Sequence, residues 1–133
     1  MRWLSMVLFR FDPEDPVLVL DVELESNGEK TTKRLVLDTG ATYLLVPWEV
    51  AELLGIKPEV SEERIETVTA SGVEKVPLVT IDFVRVLGHD VKKVKAIIHD
   101  LPPRSYVDGL LGLSFLRNFD LRLNFKEGYL ELN

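Results

Sequence analysis

Residues 35–47, LVLDTGATYLLVP, place one carboxylate inside an otherwise apolar run. Asp38 begins the tripeptide Asp38-Thr39-Gly40, and the residues on both sides of this tripeptide are mostly aliphatic. An isolated carboxylate that is removed from water costs several kcal/mol unless a partner or a proton compensates it. The aspartate therefore needs an explanation, either as a turn residue or as part of a site.

The tripeptide alone is typical of a turn, because Asp often bonds its own backbone two residues on and Gly supplies a positive φ. A D-T-G tripeptide should also occur by chance in roughly a few per cent of chains of this length. The flanking segments 35–37 and 43–46 suggest something more, namely a carboxylate loop between two buried strands. They are expected to hold that loop rigid and dry.

A second element, VDGLLGLSFL at residues 107–116, follows the tripeptide by about seventy residues. It combines hydrophobic residues with Gly112 and then a short apolar stretch that is typical of a helix. Between the two elements, residues 65–87 predict a hairpin whose small tip is Ala70-Ser71-Gly72.

These three elements, in this order, resemble the retropepsin-like aspartic proteases, single-domain relatives of pepsin found in retroviruses and, as cellular versions, in bacteria and archaea. The resemblance covers residues 35–47, 65–78 and 107–119. It implies an aspartic endopeptidase that acts on polypeptides. Because this chain has one D-T-G and pepsin-type chemistry uses two carboxylates, the resemblance also implies a homodimer in which each protomer supplies Asp38. The interface of such a dimer is isologous, with the same surface of each protomer in contact.

The resemblance further implies general acid-base catalysis without a covalent intermediate. Two neighbouring carboxylates cannot both ionise cheaply, so the pair shares one proton. One Asp38 takes a proton from a water that attacks the peptide carbonyl. The other, protonated, polarises the carbonyl oxygen and later helps to protonate the leaving amine.

The neighbouring residues receive supporting roles from the same resemblance. The Thr39 hydroxyl would lock the two loops together across the dimer axis, and the Gly40 N–H would support the carboxylate. Ala41 replaces the serine of some relatives, which removes one possible hydrogen bond to the carboxylate. Leu110-Leu111-Gly112 would pack beneath the loop, with Gly112 allowing close backbone approach. Ala70-Ser71-Gly72 would form a flap that closes over an extended substrate and pairs with its backbone.

Period-two alternation over most of the chain predicts mainly β structure. Strands are predicted at residues 3–11, 17–25, 31–37, 65–70, 73–87, 91–98, 119–125 and 129–132, and short helices at 47–55 and 113–118. Together with the resemblance, this pattern predicts an all-β fold: a closed, mainly antiparallel barrel of the retropepsin type, with a flap hairpin and one or two short helices. Residues 1–133 are expected to form a single domain.

Composition narrows the function classes. The chain is 46% hydrophobic and 29% charged, as expected of a soluble globular domain, and its net charge of -6 argues against nucleic-acid partners and anionic membrane surfaces. Without cysteine, disulfides, thiolate catalysis and cysteine zinc sites are excluded. The two histidines, His89 and His99, are expected at the surface or at strand ends, and no cofactor or metal is expected. A cytoplasmic location is expected, because the N-terminal apolar run breaks at Arg10 and no membrane-length apolar stretch follows.

Two other functions remain open at this stage. The chain could be a catalytically silent peptide-binding or assembly module, because a protein can keep its fold after it has lost its catalytic activity. It could also be a monomer in which Asp38 is a buried structural acid. Trp48 could line a substrate groove or simply pack, and Trp3 is expected in the core or an interface. Asp108 could be a structural acceptor or an ion-pair partner of Arg104.

Overall fold

The computed structural model describes residues 8–133. The strands are β1 (Leu8–Arg10), β2 (Val19–Ser26), β3 (Glu29–Leu37), β4 (Leu44–Val46), β5 (Arg64–Thr69), β6 (Gly72–Val86), β7 (His89–Ile98), β8 (Gly109–Leu111), β9 (Leu121–Asn124) and β10 (Tyr129–Leu132). The helices are α1 (Trp48–Leu53) and α2 (Leu113–Leu116), and a 3-10 turn covers Pro58–Val60.

Six of these strands close into a barrel. Their order is β2-β3-β8-β4-β7-β6. Because β6 also pairs with β2, each of the six strands has a hydrogen-bonded neighbour on both sides. The pairings are antiparallel apart from β3 with β8 and β4 with β7, which are parallel. The expected closed and mainly antiparallel barrel is therefore confirmed.

Alternating side chains explain why the barrel has a dry interior. On β2, Leu20, Val22 and Leu24 are 2%, 0% and 0% exposed, because successive strand residues point to opposite faces. The turn that joins β2 to β3 is Asn27-Gly28, whose φ angles of 54° and 78° match the hairpin turn that this dipeptide predicts.

An ion cluster holds the seam where β2 and β6 close the ring. The Arg85 guanidinium lies 3.1 Å from Glu23, 2.7 Å from Glu25 and 3.1 Å from Asp90. Its hydrogen bond to Glu25, more than any other contact, raises the pKa of Arg85 above the ordinary value. The cluster joins residues that the sequence separates by about sixty positions.

A second, three-stranded sheet has the order β1-β10-β9, with all pairs antiparallel. The strand predicted at residues 119–125 is shorter than expected, because the Phe119 N–H still donates to the Leu116 carbonyl at 3.2 Å in the turn after α2 and residues 125–128 form the turn into β10. The predicted N-terminal strand is described from Leu8 onward, and Trp3 lies outside the described residues. No helix within residues 8–133 is long and apolar enough to cross a membrane.

Candidate active site

Asp38 is the first residue after β3, and backbone hydrogen bonds fix its loop. The Asp38 N–H donates to the Leu111 carbonyl at 3.0 Å, and the Ala41 N–H donates back to the Asp38 carbonyl at 3.2 Å. The Gly40 N–H donates to Asp38 Oδ1 at 2.9 Å. The loop is therefore a tight turn that holds one carboxylate oxygen against its own backbone.

The carboxylate is more accessible than its apolar flanks suggest. Asp38 is half-buried and both Thr39 and Gly40 are exposed, whereas Leu35 and Leu44 on the flanking strands are fully buried. In the single chain, the expectation of a dry loop is wrong, because the chain leaves the barrel core at the end of β3. Asp38 is therefore not a fully buried acid in the single chain.

The second motif runs directly beneath this loop. Leu111 on β8 pairs with Leu37 on β3, and the Leu113 N–H donates to the Ala41 carbonyl at 2.8 Å. The Ser114 N–H donates to the Thr42 carbonyl at 2.9 Å. Hydrogen bonds to residues 111–114 therefore hold the D-T-G-A loop at both of its ends.

Gly112 lies where these two backbones cross. A Cβ at this position would overlap the Tyr43 carbonyl oxygen and would lie 2.6 Å from the Ala41 carbonyl oxygen. The φ angle of Gly112 is -100°, an ordinary value, so the requirement for glycine comes from space and not from backbone conformation.

Ser114 is a structural residue of the site that sequence reasoning missed. Its hydroxyl accepts from the Leu44 N–H at 3.1 Å and donates to the Lys95 carbonyl at 2.7 Å. It thereby joins α2 to β4, the strand that follows the loop, and to β7. The available signal was one hydroxyl inside the apolar stretch GLSFL.

Replacing Ser114 by Ala is expected to lower the free energy of unfolding by about 1–3 kcal/mol, because the partly buried Leu44 N–H and Lys95 carbonyl lose their partner. Urea denaturation measures the change. Ser105→Ala makes the same chemical change at an exposed position and should cost less than about 0.5 kcal/mol. Equal urea midpoints for the two variants would show that the Ser114 hydrogen bonds do not contribute to stability.

β5 and β6 form an antiparallel hairpin whose end is exposed to solvent. Val68 and Val73 face each other across its two strands and are 82% and 67% exposed. The Ser71 hydroxyl at the tip donates to Glu74 Oε1 at 3.0 Å, and Gly72 has a φ of 115°, which favours glycine. Such exposed valines leave an apolar surface at the end of the hairpin.

The structure groups most, but not all, of the predicted site residues. The D-T-G-A loop and Leu110-Leu111-Gly112 lie together, as the hydrogen bonds above show. The hairpin tip instead lines a cavity of about 470 Å³ with Leu45 and the segment that follows β7, and Asp38 is not part of that lining.

Two residues with open assignments take part in structural hydrogen bonds, Asp108 through its side chain and Trp48 through its backbone. Asp108 Oδ2 accepts from the Arg34 N–H at 2.8 Å, so Asp108 is a structural acceptor, and no ion pair joins it to Arg104 within the described range. The Trp48 N–H donates to Asp100 Oδ1 at 3.0 Å at the start of α1. Among residues 8–133, no three His, Asp or Glu side chains are grouped so that they could hold a metal ion.

Comparisons with known proteins agree with this geometry. A family model described as "Aspartyl protease" matches residues 22–115, more than half of the chain, and this range includes the D-T-G-A loop, the hairpin tip and the second motif. The structure is similar to the crystal structure of a retropepsin-like aspartic protease from Rickettsia conorii, with a TM-score of 0.72 and 23% identity over 96% of this chain and 89% of that chain. This similarity confirms the predicted fold class. A comparison with curated proteins finds no match.

Proposed function

Because the chain belongs to the aspartyl protease family and has a retropepsin-like fold, we propose that it hydrolyses peptide bonds as a homodimer in which each protomer supplies Asp38. The observation that carries this proposal is the Asp38 loop itself. Its carboxylate is half-buried, is held by the Gly40 N–H at 2.9 Å, and lies in a turn anchored on β8 and α2.

The need for a second copy follows from the chemistry. Peptide hydrolysis at this type of site requires a base for the attacking water and an acid for the carbonyl oxygen at the same time. One carboxylate cannot be both, and the chain contains a single D-T-G. Asp108, in the second motif, already accepts from the Arg34 backbone. The partial exposure of Asp38 leaves room for the Asp38 of another protomer.

Each residue of the loop then has a role. The ionised Asp38 removes a proton from a water lodged between the two carboxylates, and that water attacks the substrate carbonyl carbon. The protonated Asp38 donates its proton to the carbonyl oxygen, which gives a tetrahedral diol. As the C–N bond breaks, the proton taken from water passes to the leaving amine, and one hydroxyl proton of the diol returns to the carboxylate that had donated its own, so the pair again holds one proton. The exposed Thr39 hydroxyl would bond the partner's loop across the two-fold axis, and Ala41 leaves the carboxylate without a serine hydroxyl beside it.

The hairpin tip Ala70-Ser71-Gly72 would close over the substrate. An extended polypeptide can add to a hairpin by main-chain hydrogen bonds, as in β-augmentation. Val68 and Val73 support this assignment, because their exposed apolar surface would be covered by a bound chain. The substrate class is therefore unfolded or extended polypeptide.

The proposal is tested by incubating the protein with an unfolded protein from about pH 3 to about pH 8, with and without a pepstatin-type inhibitor. We expect new peptide termini by mass spectrometry, and their formation should stop when the inhibitor is present. Binding of the polypeptide without any cleavage across the pH range would instead identify a catalytically silent peptide-binding module.

A further inference from the structure

An ion pair joins the hairpin of β5 and β6 to the rest of the protein near the hairpin tip. His99 Nδ1 lies 3.8 Å from Glu74 Oε2, and the two side chains are 30% and 41% exposed. Glu74 is on β6, close to the tip, and His99 is the first residue after β7. The pair therefore connects the hairpin to the segment that follows β7.

Glu74 contacts the hairpin tip and the barrel side at the same time. Its Oε1 accepts from the Ser71 hydroxyl at 3.0 Å, while its Oε2 faces His99. The His99 N–H donates to the Val46 carbonyl at 3.1 Å, which fixes this histidine to β4. A series of polar contacts therefore runs from the tip through Glu74 and His99 to the barrel.

The pair lies where the hairpin changes from buried to exposed. Ile65 and Val76, which face each other across the two strands, pack in an apolar cluster with Leu45. Val68 and Val73, nearer the tip, are 82% and 67% exposed. Segments with few buried apolar contacts open most easily, so the position of the tip depends on contacts of other kinds.

The same contact borders the cavity beside the tip. Thr67 and Ser71 of the hairpin line one side of this cavity of about 470 Å³, and His99 and Leu101 line the other. If the tip moved away from His99, the cavity would widen and lose one of its walls. The ion pair therefore helps to set the width of the space beside the hairpin.

The charge on His99 is the variable part of this contact. At 3.8 Å the two atoms are too far apart for a hydrogen bond, so their attraction requires a protonated imidazole. An imidazole ordinarily changes its charge between about pH 5 and about pH 8, whereas carboxylates ordinarily stay ionised over that range. The ion pair should therefore be present at the acidic end of this range and be lost as the pH rises.

The charged groups on the elements next to His99 do not supply the same dependence. Asp100, the next residue, lies against the start of α1, where its Oδ1 accepts from the Trp48 N–H at 3.0 Å. Lys95 on β7 pairs with Glu63, just before β5, at 3.0 Å, and side chains of these two types ordinarily keep their charges between about pH 5 and about pH 8. β4 carries no charged residue.

The remaining charged groups of the hairpin point away from His99. Lys75 follows Glu74 on β6 and pairs with Glu66 on β5, so both lie on the opposite face of the hairpin. His89, the other histidine of the chain, lies at the opposite end of β7. Glu74 is therefore the carboxylate to which the charge of His99 is directed.

We propose that Glu74 and protonated His99 are positioning residues that hold the hairpin tip against the segment after β7, so that polypeptide binds more tightly at acidic pH. This rests on the proposed function, because it assigns the hairpin tip to substrate binding. Neither side chain takes part in a step at the scissile bond, so the pair changes KM and leaves kcat unchanged. Ion pairs exposed to this degree change an equilibrium by about two- to fivefold.

The test compares Glu74→Gln and His99→Lys with the wild type. Glu74→Gln removes the charge but keeps an oxygen that can accept from the Ser71 hydroxyl. His99→Lys keeps a positive charge at every pH of the series. Glu66→Gln makes the same chemical change as Glu74→Gln on the opposite face of the same hairpin and is the matched control.

Hydrogen exchange of residues 68–73, followed by mass spectrometry, measures the opening of the tip and needs no activity. At about pH 5.5, we expect exchange to be about two- to fivefold faster in Glu74→Gln than in the wild type, and unchanged in Glu66→Gln. At about pH 8, Glu74→Gln and the wild type should be alike, and His99→Lys should exchange more slowly than both. Each comparison is made at one pH, because the intrinsic exchange rate itself depends on pH.

The KM of peptide cleavage should follow the same pattern. The wild-type KM, divided by the KM of His99→Lys, should rise about two- to fivefold between about pH 5.5 and about pH 8, while the ratio of the two kcat values stays constant. The ratio removes the pH dependence of the Asp38 pair, because both proteins share it.

Equal exchange of the tip in Glu74→Gln and in the wild type at about pH 5.5 would overturn the proposal, as would a KM ratio that does not change with pH. A protein that cleaves peptides without the expected exchange pattern leaves the proposed function standing and overturns the positioning roles. A protein that shows this pattern but cleaves nothing supports the contact and overturns the proposed function.

Discussion

Replacing Asp38 by Asn is expected to lower the rate of peptide cleavage by about a thousand-fold or more. The amide cannot take a proton from the attacking water or donate one as a carboxylic acid does. In a homodimer of this variant, both carboxylates are lost at once. Initial cleavage rates, measured at equal dimer concentrations, give the change.

The matched control is Asp21→Asn. It makes the same chemical change on the exposed face of β2, away from the D-T-G loop, and should leave the rate unchanged. Circular dichroism should show the same β content for both variants, because the amide oxygen introduced by Asp38→Asn can still accept from the Gly40 N–H. If Asp38→Asn cleaves at the wild-type rate, Asp38 has no part in the mechanism.

Replacing Gly112 by Ala is expected to lower the free energy of unfolding by about 3 kcal/mol or more. The added methyl group would overlap the Tyr43 carbonyl oxygen and crowd that of Ala41, and both are backbone atoms that cannot rotate away. Separating β8 from the loop would also displace Asp38, which donates its N–H to Leu111. Urea denaturation measures the stability, and the cleavage rate measures the displacement.

Gly88→Ala is the control that measures the cost of replacing a glycine where no neighbouring atom is crowded. Gly88 has a φ of 80° and open space around it, so the substitution should cost only the left-handed strain of about 1–2 kcal/mol. If Gly112→Ala and Gly88→Ala lower the free energy of unfolding equally, the two backbones at Gly112 are not packed as closely as described.

The sequence predicts the parts of this fold that local patterns encode. Alternation of apolar and polar residues predicts the long strands, and Asn27-Gly28 predicts a turn. Both signals come from residues that are neighbours in the chain. The pairing of the D-T-G loop with Leu110-Leu111-Gly112 was accessible only through resemblance. These residues are far apart in sequence, and β4 and β8, with three residues each, are too short to show a period.

Other features depend on contacts that no local pattern contains. The bonds of the Ser114 hydroxyl reach residues 70 and 19 positions away, and barrel closure depends on how β6 pairs with both β2 and β7. The exposure of Asp38 was missed because the apolar run does not mark where β3 ends. The position of β9 at an edge of its sheet, among residues 8–133, is likewise a property of the strand order, which alternation does not give.

The central claim, that one catalytic site requires the Asp38 of two chains, is tested most directly by subunit mixing. A fixed concentration of wild-type protein, at which sedimentation shows dimers, is equilibrated with increasing amounts of Asp38→Asn. With a ninefold excess, random pairing leaves about a tenth of wild-type chains in fully wild-type dimers, so cleavage should fall to about a tenth. Asp21→Asn, added in the same excess, should not lower it. Cleavage that stays at its starting value despite the excess of Asp38→Asn would contradict a shared site and assign the chemistry to a single chain.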